Sequence, residues 1–216
     1  MPALRVTKRA SAKANPLPFV PVSDWSAVGH RGHGVQFYAT DDHLIELLAR
    51  YIGTALVTCE VGLVVATKKH RLALEKRLRA CGFDVAIARR QGRYIAPDVT
   101  HTLRRLMRDR WPDEDRFKTV IGGLIDRVAA PATGRPPRIY AFCEMVSVLC
   151  AQGRSDAAIR LEKLWNNLAQ SRSFSLCCAY PMNVFTAGHA APFMRICAQH
   201  SHVFPAAGRT LGSLIV

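Results

Sequence analysis

The segment from Val61 to Gly82 constrains the fold of this chain more than any other. Residues 61–66 are almost wholly apolar and rich in β-branched side chains, which is typical of a strand covered on both faces. The residues that follow carry Leu74 and Leu78 at helical spacing between charged positions, and Gly82 stands where a helix would end. A buried strand that leads directly into a helix opens a βαβ unit. The turn between them, residues 67–70, is therefore predicted to lie at the carboxyl edge of a sheet, where open α/β folds bind ligands.

The rest of the chain repeats this alternation of short apolar segments and amphipathic ones. Strands that alternate with helices predict an α/β fold, a three-layer sandwich whose mainly parallel sheet carries helices on both faces. We predict further strands at residues 34–38, 83–88, 138–142 and 174–180. We also predict helices that begin after Thr40, after Asp98, at Asp113, after Glu144 and near Ser155, and a last helix around residues 193–199.

Length and composition fit a single domain with flanking segments. The 216 residues suffice for a real core, and an apolar content of 49% excludes general disorder. Residues 1–29 hold several prolines and cations without any period, and we predict a flexible basic arm there. No apolar run reaches bilayer length, and no secretory signal is evident. Seven cysteines without framework spacing indicate reduced thiols in a cytoplasm.

The formal net charge of +14 permits binding to nucleic acid, to anionic lipid or to an acidic partner. The basic residues are scattered, however, and no helix-turn-helix, zinc finger or aromatic-basic RNA signature accompanies them. The charge therefore favours solubility and the steering of a protein partner over direct binding of nucleic acid or a membrane.

Five short motifs, taken in order, resemble the MEDS domain, the sensory domain named for methanogens, methylotrophs and the dichloromethane regulator DcmR. The resemblance covers about residues 30–205, which leaves residues 206–216 as a C-terminal tail. The motifs are HGVQFY at 33–38, VVAT at 64–67 followed by His70 and Arg71, FCEM at 142–145, LEKLWNNL at 161–168 and CCAYP at 177–181.

This resemblance implies a prokaryotic signalling input domain that senses simple hydrocarbon derivatives and has a fold akin to the RecA and KaiC ATPases. Family members are often fused to histidine kinases or helix-turn-helix regulators. The chain shows neither, so we expect a stand-alone member that relays its signal to such a kinase or transcription regulator. Cys143 stands where the family tends to have glycine, which adds a thiol at the edge of the expected site.

The turn after the strand at 61–66 does not suit nucleotide hydrolysis. A phosphate-binding loop needs glycines whose amides surround the phosphates, followed by Lys and Ser or Thr. Residues 67–70, Thr-Lys-Lys-His, are too few and include no glycine. We therefore expect a RecA/KaiC-like fold without a functional phosphate loop, no catalytic residues and no enzyme activity. The alternative is a degenerate nucleotide-binding protein, because the helix N-terminus still offers free amides and a positive dipole.

The candidate ligand site combines the carboxyl edge with the residues of the family motifs. Glu144 follows an apolar strand, where a buried carboxylate needs a partner or a shifted pKa, so it could accept a hydrogen bond from a ligand or simply pair with an arginine. We expect several of these side chains to converge on one pocket. The predicted ligand-binding residues are His33, Tyr38, Thr67, His70, Arg71, Phe142, Glu144, Cys178, Tyr180 and His200.

A metal or haem sensor is the other open alternative. The chain contains enough imidazole and thiol groups to bind zinc, but their spacing matches no known finger or ribbon. We assign no metal ligand and no cofactor from the sequence. The residues considered are His30, His33, Cys177, Cys178, His189, His200 and His202.

Overall fold

A computed structural model describes residues 31–130, 134–185, 190–204 and 206 of the chain. The predicted arm at residues 1–29 lies outside the described residues, as does the predicted tail apart from residue 206.

The centre of the structure is a six-stranded, wholly parallel sheet with the strand order β3-β2-β6-β7-β1-β8. A separate antiparallel pair, β4 and β5, forms a short hairpin. The strands are β1 His33–Tyr38, β2 Val61–Val65, β3 Tyr94–Ile95, β4 Met107–Arg108, β5 Trp111–Pro112, β6 Ile139–Cys143, β7 Ser175–Pro181 and β8 His202–Phe204.

Helices cover both faces of the sheet, which confirms the predicted three-layer α/β sandwich. None of them, within the described ranges, combines the length and the apolar character that a bilayer crossing requires. They are α1 Asp41–Val57, α2 Lys68–Ala80, α3 Val85–Arg90, α4 Val99–Leu106, α5 Glu114–Phe117, α6 Gly123–Ala129, α7 Met145–Ala151, α8 Ser155–Ser171 and α9 Ala190–Cys197, with a π-helical turn at Lys118–Gly122 between α5 and α6 and a 3-10 turn at Met182–Val184.

Five helices of the described residues begin at side-chain caps. A side-chain oxygen accepts a hydrogen bond from a backbone N–H in the first turn of the helix that follows it at Thr40, Thr67, Asp84, Asp98 and Asp113. These bonds satisfy donors that the helix itself leaves free. Thr67 thereby fixes the turn that leads from β2 into α2 at the carboxyl edge of the sheet.

The alternation of side chains along the strands divides the core into two clusters. On β1, Val35 and Phe37 face the cluster that packs against α4 to α9, where Trp165 is among the largest fully enclosed side chains. Tyr38 faces the other cluster, which packs against α1, α2 and α3. Because neighbouring strands run parallel and in register, the two faces stay separate across the sheet.

The strand predicted at residues 83–88 is wrong, because Val85–Arg90 forms helix α3. Asp84 caps this helix through its bond to the Ile87 N–H, and the two buried residues, Val85 and Ala88, are spaced by three. The strand that pairs with β2 at the edge of the sheet is instead the two-residue β3. The sequence also gave no indication of β8, which pairs with β1.

Candidate functional site

The carboxyl ends of β2 and β6 form the point at which the chain's connections diverge. After β2 the chain turns through α2 and α3 to β3, on one side of β2. After β6 the chain passes through α7 and α8 to β7, which lies on the side of β6 away from β2. These two helices cover the opposite face of the sheet from α2 and α3. The two strands are hydrogen-bonded neighbours, so their connections part between adjacent strand ends. Open α/β sheets bind ligands at such a point.

Thr67, His70 and Glu144 meet at this point, as predicted. The backbone N–H of Thr67 donates to Oε2 of Glu144 over 2.6 Å, and Nδ1 of His70 contacts the other carboxylate oxygen. Only 8% of His70 and 2% of Glu144 is exposed. The Glu144 N–H donates to the Val65 carbonyl and so extends the pairing of β6 with β2. The pair is buried but lies at the open edge of the sheet.

Asp41 completes this group from the first turn of α1. Its Oδ2 lies 3.4 Å from Nε2 of His70 and 2.5 Å from Nζ of the exposed Lys69. Burial lowers the pKa of His70, but the hydrogen bonds and charges of Glu144 and Asp41 outweigh it, and the pKa is raised above its usual value. The hydrogen bond from Lys69 holds the pKa of Asp41 below its usual range.

Tyr38 ends β1 close to the same carboxylates. Burial raises the pKa of its phenol, and the charges of Glu144 and Asp41 raise it further. The phenol is therefore a neutral hydroxyl group beside two acids. We call Tyr38, Asp41, Thr67, His70 and Glu144 the edge cluster.

Two other predicted residues do not join the edge cluster. The guanidinium of Arg71 donates to Oδ2 of Asp98 over 2.9 Å and to the Ala96 carbonyl over 3.3 Å, so it fixes the segment before α4. Phe142 has no exposed surface and packs in the core against α1, α2 and α3. Strand alternation points its side chain into the core, so Phe142 offers no exposed surface to a ligand.

The remaining predicted residues form a second cluster on the opposite face of the sheet, so the expectation of one common pocket is wrong. Cys178 and Tyr180 point from β7 toward α8, whereas His70 belongs to α2 on the other face. They gather with His33 and His200 around a carboxylate that the sequence had not indicated, that of Glu162 on α8.

Glu162 is fully enclosed, and four polar side chains surround its carboxylate. The hydroxyl of Tyr180 donates to Oε1 over 2.7 Å, and the thiol of Cys178 donates to Oε2 over 3.3 Å. Nε2 of His33 lies 3.3 Å from Oε2, and Nε2 of His200 lies 3.3 Å from Oε1. Burial alone would raise the pKa of Glu162, but His200 and His33 outweigh it and hold the pKa well below its usual range. We call these five residues the buried cluster.

A separate cleft of about 590 Å³ opens at the amino edge of the sheet, beside the start of β2. Val61 and Leu124 contribute apolar surface to it, and Arg93 and Arg135 contribute charge. Arg135 is held by Glu60, whose carboxylate lies 2.5 Å away. This edge is opposite to the one where open α/β sheets bind ligands.

The sequence profile of one protein family matches residues 32–196, which is most of the chain. That family is MEDS, the methanogen/methylotroph, DcmR sensory domain. The match includes the whole edge cluster and every residue of the buried cluster except His200. Among curated proteins, none matches the chain.

Proposed function

The chain belongs to the MEDS family of sensory domains, and from that premise we propose that it senses a small molecule bound at the edge cluster. The family resemblance implies a simple hydrocarbon derivative as the class of ligand. The output that we propose is contact with a partner, a histidine kinase or a transcription regulator. A net charge of +14 suits a partner with an acidic surface.

The observation that carries this proposal is the contact of His70 with Glu144 at the point where the connections of β2 and β6 diverge. A buried polar pair at such a point provides a few oriented hydrogen-bonding groups for a small ligand. Glu144 accepts hydrogen bonds, and the Tyr38 hydroxyl lies near it. Asp41, whose side chain is 39% exposed, stands between this pair and the solvent.

The edge cluster also offers a physical route for the signal. His70 lies in the first turn of α2, and its ring connects this helix to β6 through Glu144 and to α1 through Asp41. A ligand that takes over one of these contacts would favour one position of α2 over another. Such a ligand shifts the domain between two states only by its difference in affinity for them.

Glu144→Gln is expected to weaken ligand binding by about tenfold or more, because it removes the charge that accepts the hydrogen bond of a ligand. Calorimetric titration with methanol and methylamine, which donate hydrogen bonds, and with dichloromethane, which lacks an O–H or N–H donor, measures the effect. The matched control is Glu60→Gln, since Glu60 is also buried but lies before β2, at the opposite edge of the sheet. Equal binding by the parent and Glu144→Gln would contradict the proposed site, and no binding of any probe would contradict the ligand class.

We also propose that the domain does not hydrolyse ATP. The turn after β2 contains no glycine, and its first N–H, that of Thr67, is already bonded to Glu144. Magnesium-dependent release of phosphate from ATP should therefore stay at the buffer background. Turnover above this background that is lost in Lys68→Ala would instead support the degenerate RecA/KaiC-type alternative.

A further inference from the structure

We propose that His33, Glu162, Cys178 and His200 bind one divalent transition-metal ion of the zinc class. One ligand atom from each residue lies within 4.8 Å of the others. The side chains of His200 and Glu162 have no exposed surface, and that of His33 is 8% exposed. This site is independent of the edge cluster, which lies on the other side of the sheet.

The hydrogen bonds of the two histidines direct their Nε2 atoms to the site. Nδ1 of His200 lies 2.8 Å from the Ile196 carbonyl, which only accepts, so this nitrogen carries the proton. In the neutral ring, Nε2 then carries a lone pair. Within the described residues, this buried Nε2 makes no hydrogen bond, although it lies 3.3 Å from Glu162. In the neutral ring, this buried atom points into the cluster with a lone pair that a metal ion can accept.

His33 is oriented in the same way by Asn166. The Asn166 amide donates from Nδ2 to the Gln199 carbonyl over 2.9 Å, which turns its Oδ1 toward Nδ1 of His33 at 2.8 Å. Nδ1 of His33 is therefore the protonated nitrogen, and its Nε2 faces Cys178 and Glu162. Histidines that bind metals are usually oriented by such a second hydrogen bond from the other ring nitrogen.

Three of the separations between the ligand atoms match those around a tetrahedral ion. Zinc bonds of about 2.0–2.1 Å to nitrogen or oxygen and about 2.3 Å to sulfur place neighbouring ligand atoms roughly 3.3–3.6 Å apart. Nε2 of His33 lies 3.3 Å from Sγ of Cys178 and 3.3 Å from Oε2 of Glu162. Sγ of Cys178 lies 3.3 Å from the same oxygen. Nε2 of His200 instead lies 3.3 Å from Oε1, the other oxygen of Glu162, so the side chains of His200 and Glu162 would have to move for one ion to bind all four residues.

The charges and the neighbouring groups also suit such an ion. When the metal binds, the S–H bond of Cys178 breaks and the Nε2 atoms of His33 and His200 release any proton that they carry beside Glu162. The sulfur and the two nitrogens bond to the metal, and the protons leave to solvent. A divalent ion with one thiolate and one carboxylate is then neutral overall, which favours it in a site without solvent. Tyr180 donates to Glu162 and would hold that carboxylate in place. Imidazole, thiolate and carboxylate are all ligands that zinc accepts, and four protein ligands would leave no coordination position open for water, as in a closed zinc site.

Titration of the chelator-treated full chain with Co²⁺ tests the proposal, because tetrahedral Co²⁺ has visible bands and a near-ultraviolet band when bound to thiolate. We expect these bands to saturate at one equivalent of Co²⁺ and to disappear when Zn²⁺ is added. A folded parent protein that shows no thiolate band would overturn the proposal, whether or not any variant folds.

Three variants identify the ligands. Cys178→Ser should lose the thiolate band, whereas the control Cys177→Ser should keep it, because Cys177 is equally buried but faces the other side of the sheet. Asn166→Ala should weaken the metal affinity about 10–100-fold, since it removes the bond that orients His33. A thiolate band that persists in folded Cys178→Ser would show that the metal binds elsewhere.

Discussion

Trp165→Ala is expected to lower the free energy of unfolding by about 3–5 kcal/mol. Trp165 is 1% exposed, and its indole ring packs against Phe117 and Phe174 with centroid separations of 5.2 and 5.7 Å. Alanine would leave a cavity where α8 meets α5 and the segment before β7, and it would remove both edge-to-face ring contacts. Urea denaturation, followed by circular dichroism, measures the loss.

Two control variants test whether the loss of unfolding free energy comes from the buried cavity or from the removal of any tryptophan. Trp111→Ala should cost about 1 kcal/mol or less, because Trp111 is 47% exposed. Trp165→Phe should cost clearly less than Trp165→Ala, since the buried indole N–H has no hydrogen-bond partner in the described part of the chain. If Trp165→Ala unfolded at the same urea concentration as the parent, the packing described for α8 would be wrong.

The sequence predicted the parts of the fold that depend on local signals. Thr40, Asp98 and Asp113 cap helices at the predicted positions, because a side-chain oxygen before a helical pattern acts within its own first turn. The buried strands β2, β6 and β7 were evident from their continuous apolar runs. The apolar strand at residues 61–66 and the helical spacing of Leu74 and Leu78 after it were enough to predict the position of the turn after β2.

Short edge elements could not be predicted in this way. Residues 83–88 are apolar enough for a strand, but Asp84 caps a helix there and the strand comes later, at β3. The two residues of β3 and the three of β8 are too few to show a period. Their pairing depends on the sheet that forms beside them. The formation of these two short strands therefore depends on tertiary contacts and not on a local sequence pattern.

The two candidate sites also differ in how far local sequence patterns could predict them. Thr67 and Glu144 were predictable as neighbours because each directly follows a strand, and adjacent parallel strands end at the same edge. The buried cluster depends on the pairing of β7 with β1 and on the packing of α8, which no local pattern contains. One signal was present: Glu162 lies on the apolar stripe of α8, four residues after Ala158 and three before Trp165.

The edge cluster should make stability depend on pH through His70. Three charged groups are near its ring: Glu144 after β6, Asp41 on α1 and, through Asp41, Lys69. The pKa of His70 in the folded state is raised above its usual value of 6.5. Its ion pair therefore contributes fully below about pH 6.5, and this stability is lost as the pH rises through the folded-state pKa.

His70→Leu should consequently cost about 3 kcal/mol near pH 6, because it leaves the buried carboxylate of Glu144 without its cation, and clearly less near pH 9. His101→Leu is the matched control. His101 is also the third residue of its helix and donates its N–H to the cap, but it is exposed, so we expect little change at either pH. Denaturant unfolding of parent and variants at both pH values measures these differences. A cost for His70→Leu that does not change between pH 6 and pH 9 would mean that His70 acts there as a neutral packing residue, and the imidazolium–carboxylate pair would be excluded.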